Sequence, residues 1–374
     1  MILRNASVFC PDGTFVQKEL YIDDSTGRFC AAPAGGPVVD AAGLAAVPGL
    51  VDLHFHGCMG HDLCEGTEEA LQAMADYEAD VGVLAICPAT MTCPMPQLEA
   101  IAAAAAAHKN GHGADLVGIH LEGPFLSPAK AGAQDPQHTR LPDAQLFHTL
   151  QRLAGGLVRI CDIAPELPGA EEFIRALAGE VRLSLAHTCT DYDTAARAFA
   201  AGASHLTHLF NAMPGLHHRA PGPIPAAMEA GAEAELICDG AHLHPAMVRL
   251  AFRLFGADKV ILVSDSTMAT GLADGEYELG GQSVTVRGRR VCLTHAPETI
   301  AGSCTNLFDC MRRAVLEMDI PLGSAVRAAS LNPARSLGVD ADYGSLQPGR
   351  YANFILLDKQ LAPTQIWQKG RRLR

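Results

Sequence analysis

Between Leu50 and Val263 the chain repeats one pattern eight times: a short apolar run, then a longer, mostly helix-patterned segment. The runs are Leu50–His54, Val83–Cys87, Val117–Leu121, Val158–Ile163, Leu183–His187, His205–Leu209, Leu236–Cys238 and Val260–Val263. Short, largely apolar runs fit strands buried on both faces, and such strands run parallel under a cover of helices. Helical patterns at Thr67–Ala79, Pro96–His108, Asp191–Ala201 and Pro245–Phe255 supply that cover. The alanine run Ala102–Ala107 reads as a tightly packed helix of high intrinsic propensity, not as a linker. Eight β/α repeats within about 220 residues predict an α/β protein built on a closed (β/α)8 barrel of TIM type rather than an open doubly wound sheet.

The residues at the strand ends suggest what such a barrel does. His54 and His56 follow the first strand, Glu122 ends the third, His187 the fifth, His205 and His208 the sixth, Asp239 and His242 the seventh, and Asp265 the eighth. Barrel sites are assembled at the C-terminal ends of strands, so these side chains would converge on one mouth. A single His-x-His is more often two polar residues at a strand-to-loop junction; recurrence around a ring argues against that reading. Imidazoles with a carboxylate suit one or two divalent transition ions, zinc or iron, and Glu122 is the best carboxylate ligand because Gly123-Pro124 fixes the turn behind it. Such an ion brings the pKa of a water down to ~7, and a further carboxylate then shuttles the proton. Asp265 fits that role, and hydrolysis of a C–N or amide bond is the expected reaction.

The two ends of the chain have a different texture. Ser7-Val8-Phe9, Thr14-Phe15-Val16, Leu20-Tyr21-Ile22 and Val38-Val39 read as short strands, and Phe354–Leu357 and Gln365–Gln368 as two more. Residues 1–47 and 336–374 are expected to form one small β-sandwich domain beside a hydrolase barrel at 48–335. The last barrel helices are predicted at Thr305–Met318 and Leu322–Leu337, the second broken at Asn332-Pro333. A formal net charge of -13 argues against nucleic-acid or anionic-membrane partners, so an anionic ligand would need a local cationic pocket. The 12 cysteines are scattered without metal spacing and read as free thiols of a reducing cytosol. No signal peptide and no membrane span is read, which predicts a soluble, cytoplasmic protein.

The stretch Pro48–Gly57 resembles the opening strand of the amidohydrolase superfamily. His120–Leu126, His208–Met213, Asp239–His242, Ile300–Ser303 and Ser330–Arg335 narrow the resemblance to the N-acetylglucosamine-6-phosphate deacetylase family, over most of the chain up to Gly349–Phe354. The resemblance implies that Glu122, His187 and His208 hold the principal metal, that His54 and His56 hold a second, and that Asp265 is the general base and acid. It implies substrate contacts from Ala133, Gln134, Asn211, Ala212, Ile300, Ala301, Gly302 and Ser303, with Arg219 and His242 at the sugar phosphate. The implied partners are a small-molecule amino sugar phosphate and a second copy in a homodimer, across which part of the pocket is shared. His120 and His205 match no ligand and are expected to support their neighbours. One departure stands out: the family's usual histidine is Gln134 here, which leaves open the galacto epimer or another N-acyl substrate. A non-catalytic barrel kept as a binding module is the remote alternative.

Overall fold

A computed structural model describes residues 1–32 and 35–374, and all eight expected strands are present and parallel. Leu50–Asp52 pairs with Val83–Ile86, which pairs with Asp115–Leu116. A second sheet continues in chain order through Ile119–Leu121, Val158–Ile163, Arg182–Leu185, His205–Leu206, Glu233–Ile237 and Val260–Val263. A parallel bridge from Ala89 to His120 joins the two sheets on one side. On the other side, Asp265 N donates to His54 O at 3.0 Å and His56 N to Ser266 O at 2.7 Å. The result is a curled parallel sheet with an inside and an outside.

Strand alternation sorts the side chains between the two faces. Val51, Ala85, Ile237, Ile261 and Val263 share one buried cluster with Ala334, Leu337 and Tyr343, whereas Leu50, Leu236, Val260 and Leu262 pack outward in the main core. The covering helices start where side chains can satisfy their free N–H groups. Thr67 caps Glu68–Asp80, Asp191 caps Tyr192–Ala201 and Asn306 caps Leu307–Leu316. The last predicted helix is instead two, Leu322–Ala329 and Leu331–Ser336, and the break falls at Ser330 rather than at Asn332-Pro333. Pro333 sits in the first turn of the second helix, where its missing N–H costs nothing.

The chain ends meet in one sheet. Its strand order is Arg371–Arg372, Pro363–Gln368, Phe354–Leu357, Ala45–Pro48, Ser7–Phe9 and Phe15–Gln17. Phe354–Leu357 runs antiparallel to Ala45–Pro48, with Ile355 opposite Val47. A four-stranded sheet of Arg28–Cys30, Leu20–Asp23, Ile2–Arg4 and Val38–Asp40 lies in the same part of the chain.

One element is absent from the sequence reading. After the eighth strand, Gly275–Leu279, Gln282–Arg287, Arg290–Leu293 and Ala296–Ile300 form an antiparallel sheet of their own. Its signals were there: Val284 and Val286 alternate with polar residues, and Gly280-Gly281 is a two-residue hairpin turn. All 12 cysteines are free. No helix among the described residues is long and apolar enough to cross a membrane.

Candidate metal centre and substrate cavity

The first strand ends at Asp52, so His54 and His56 lie on the turn beyond it rather than on the strand itself. They converge nonetheless, with ring centroids 5.5 Å apart, because that turn is held by the backbone of Asp265 and Ser266. Gly57 lets the chain leave: a Cβ there would fall 2.1 Å from His61 O. His187, His208, Ala212 and Asp265 all have positive φ, at 42°, 30°, 51° and 48°. Non-glycine residues avoid this region at a cost on the order of 1–3 kcal/mol each. Three of them, His187, His208 and Asp265, stand two residues beyond a strand end, in loops shaped for something other than stability alone.

The side chains meet at Glu122. Its Oε1 lies 2.9 Å from His187 Nε2 and 3.2 Å from His208 Nε2, and those two nitrogens are 3.1 Å apart. Its Oε2 lies 3.2 Å from His56 Nε2 and 3.4 Å from His54 Nε2. Asp265 Oδ1 approaches His56 Nε2 at 3.2 Å and His54 Nε2 at 3.7 Å. Tetrahedral ligands at zinc's ~2.0–2.1 Å bond lengths stand about 3.3 Å apart, so both groups have the spacing of a ligand set. Among the described residues, His54 Nε2 and Glu122 Oε2 at the centre are two of the buried polar atoms without a hydrogen-bond partner, so they are free to take a cation. Second nitrogens are occupied elsewhere: His187 Nδ1 pairs with Lys130 O at 2.9 Å, His56 Nδ1 with Ala89 O at 3.3 Å and His54 Nδ1 with Glu235 at 2.9 Å. Each leaves Nε2 facing the centre, the orientation expected of metal-binding histidines. The donor set therefore fits one or two divalent transition ions.

Charge at the centre follows from these contacts. Burial would push Asp265 up, but His56 beside it, with the charges of His54 and His208, brings it down to about 2. Burial and histidine neighbours oppose each other in the same way at Glu122, which ends well below the usual carboxylate range. Burial pulls His56 down, and Asp265 with Glu122 more than reverses this, to about 10.

The centre forms the floor of a cavity of about 400 Å³. Of the residues singled out in the sequence, His56, Glu122, Ala133, Gln134, His187, His208, Asn211, Ala212, His242, Asp265, Ile300 and Gly302 line it. His54 lies buried behind the wall. Ala301 is buried as well, and Ser303 supports Asp265 through Ser303 N to Asp265 O at 2.7 Å. Gln134 is almost fully buried, and its Oε1 accepts the Thr92 N–H at 2.6 Å. His242 gives Nδ1 to Asp239 at 2.8 Å, which leaves Nε2 as its free nitrogen. Arg219 stands apart, in a separate surface depression with Tyr192, Asp193 and Pro214. Lys130 lines the cavity and was not singled out; a lysine two residues before Gly132-Ala133-Gln134 was the available signal. His120 and His205 are fully buried below the centre, with His120 on Asp162 at 2.9 Å and His205 on Ser184 at 2.9 Å.

The Amidohydrolase family model matches residues 45–372. N-acetylglucosamine-6-phosphate deacetylase of Bacillus subtilis is 39% identical over 318 residues, 83% of this chain and 80% of that protein. N-acetylgalactosamine-6-phosphate deacetylase of Escherichia coli O157:H7 is 35% identical over 375 residues, 99% of this chain and 98% of that protein. Among solved structures, a mutant N-acetyl-D-glucosamine-6-phosphate deacetylase from Mycobacterium smegmatis, in complex with N-acetyl-D-glucosamine-6-phosphate, has a TM-score of 0.91 at 32% identity. The match covers 100% of this chain and 98% of that one. A likeness that runs nearly end to end, over a centre built from histidines and acids, makes the chain a hydrolase of the amidohydrolase family.

Proposed function

We propose that the chain hydrolyses the acetamide of N-acetylglucosamine 6-phosphate, giving acetate and glucosamine 6-phosphate. The observation that carries this reading is Glu122, whose two oxygens serve two histidine pairs on the floor of a cavity that Asp265 also lines. Glu122, His187 and His208 would hold one divalent ion, zinc or iron, and His54 and His56 would share Glu122 for a second. Such an ion, when bound, polarises the amide oxygen and makes a water more acidic. Asp265 faces the centre with its carboxylate beside His56 and His54 and is placed to take the proton of the attacking water. As the C–N bond breaks, Asp265 returns that proton to the departing amine nitrogen, and acetate leaves with the water's oxygen. Lys130 and His242 bring basic groups suited to a phosphate to a cavity wall that also carries Glu298, although the whole chain is acidic. Arg219 would join them from a second subunit of a homodimer, which accounts for its place outside this chain's cavity.

The same reading takes the curled sheet as a closed (β/α)8 barrel at 48–335, the paired chain ends as one β-sandwich domain, and the cytoplasm as the site of action. The galacto epimer is the second substrate considered, on two grounds. Gln134 replaces the family's histidine with its oxygen already committed to Thr92, and the Escherichia coli relative matches end to end. Acetate release from both epimers and from unphosphorylated N-acetylglucosamine separates the readings. Higher kcat/KM on the gluco phosphate is expected. Equal rates without the phosphate would remove the role given to Lys130, His242 and Arg219.

A further inference from the structure

Glu235 lies midway along Glu233–Ile237, inside the curled sheet and fully buried. An uncompensated buried carboxylate costs several kcal/mol, so an acid here needs partners. Its carboxylate has two, both on Oε2: His54 Nδ1 at 2.9 Å and the backbone N–H of His208 at 3.0 Å, while Oε1 has none among the described residues. The main-chain oxygen of Glu235 accepts the N–H of Leu209 at 2.9 Å. Of the two groups that share Glu122, His54 belongs to one and His208 to the other, and Glu235 itself stands with His54 and His120 in a third cluster of similar spacing.

We propose that Glu235 is the positioning residue of the metal centre, holding its two ligand groups in register across Glu122. This rests on the metal-centre reading above. Oε2 of Glu235 is already an acceptor for the His208 N–H, and it meets His54 Nδ1 in the same role, which puts the hydrogen between them on Nδ1 and turns the Nε2 lone pair to Glu122 and Asp265. On the other side, Glu235 fastens the N–H groups of two successive residues, His208 and Leu209, where the backbone of His208 has φ 30°. That clamp acts with the N–H and Nδ2 of Asn211, which donate to His208 O at 2.9 and 3.1 Å, to keep His208 in a conformation L residues avoid. Oε1 of Glu235 has no hydrogen-bond partner among the described residues; His205 Nε2 at 3.8 Å and His120 Nδ1 at 4.0 Å are its nearest basic atoms, and His120 Nδ1 is itself bonded to Leu53 O.

The test compares the metal-stripped wild type with Glu235→Gln in a zinc titration against a competing chelator. Glutamine has the same size and its one oxygen can still accept the His208 N–H, but without the charge it no longer fixes the hydrogen of His54 on Nδ1, so the His54 ring is released while His208 stays held. Two zinc ions per wild-type chain are expected, and the variant should bind the weaker one about 10- to 100-fold less tightly while the tighter one is unaffected. A second measurement does not depend on the variant folding: ¹⁵N spectra of the zinc-loaded wild type should place hydrogen on His54 Nδ1. Unchanged zinc affinities in the variant, hydrogen on His54 Nε2, or a wild type that takes a single ion would each overturn the proposal. A wild type that takes up no zinc overturns the metal-centre reading itself, and the proposal with it.

Discussion

Asp265 takes its environment from both neighbours and backbone. Its main chain is bonded to His54 and to Ser303, and its carboxylate faces His56. Replacing it with asparagine keeps the size and removes the proton acceptor, so Asp265→Asn should lower turnover by about 10²- to 10⁴-fold. Elemental analysis should find the metal content unchanged, since Glu122 and the histidines remain; a variant with near wild-type turnover would remove Asp265 from the reaction. Metal uptake should also depend on pH with a definite sign. In the metal-free chain His56 is raised from 6.5 to about 10, so its pairing stabilises the fold fully below 6.5 and less as pH rises toward 10. An ion must displace that proton, so apparent metal affinity should fall as pH is lowered through the neutral range, with protons released on binding. Calorimetry in buffers of different ionisation enthalpy measures that release; a pH-independent affinity with no proton release contradicts it. The ligands and Asp265 were legible because they stand where apolar runs stop. Glu235 was not, because the predicted strand began at Leu236 and left it outside. An acid between Ala234 and Leu236-Ile237, in a strand buried on both faces, was the overlooked signal.

At the scale of elements, strand positions were readable from the sequence and their ends less so. The eight runs are apolar enough to declare themselves, but each stops where turns begin, and the turns here are shaped by the site. His54, His187 and Leu209 were expected inside strands and stand beyond them: the backbones of His54 and His187 bond across to other loops, and that of Leu209 to Glu235. The antiparallel insertion escaped because Glu276, Glu278 and Arg287 gave it the polarity of a loop. It bears on the cavity: Leu279 and Ile300 line the mouth, and Gln282 Nε2 donates to Ala133 O at 3.2 Å. That bond ties the insertion to the loop of Gln134. Gln282→Ala should therefore raise KM with little change in kcat, by up to about fivefold for a hydrogen bond worth ~1 kcal/mol. Steady-state kinetics reads the split, and a fall in kcat at constant KM would assign the contact to chemistry instead.

For the whole molecule, β texture at both ends of the chain was enough to predict a shared sheet, because two short sets of strands have no other means of covering each other. What could not be read was register, which depends on contacts that form only once the chain has folded. Ile355 is fully buried opposite Val47, and its Cδ1 would lie 2.6 Å from a Cβ placed at Gly82. Ile355→Ala should lower stability by about 2–5 kcal/mol, read as a lower urea midpoint, with zinc stoichiometry unchanged. An unshifted midpoint would mean that this sheet unfolds separately from the rest. The pairing of Ala45–Pro48 with Phe354–Leu357 also bears on the order of events during synthesis. The partner strand is made about 300 residues later, a delay on the order of 15–60 s at about 5–20 residues per second. The parallel strands and their catalytic floor can assemble in that interval while Ala45–Pro48 keeps an open edge. A chain that ends short of Phe354 would thus keep a bare strand edge at Ala45–Pro48, prone to aggregation.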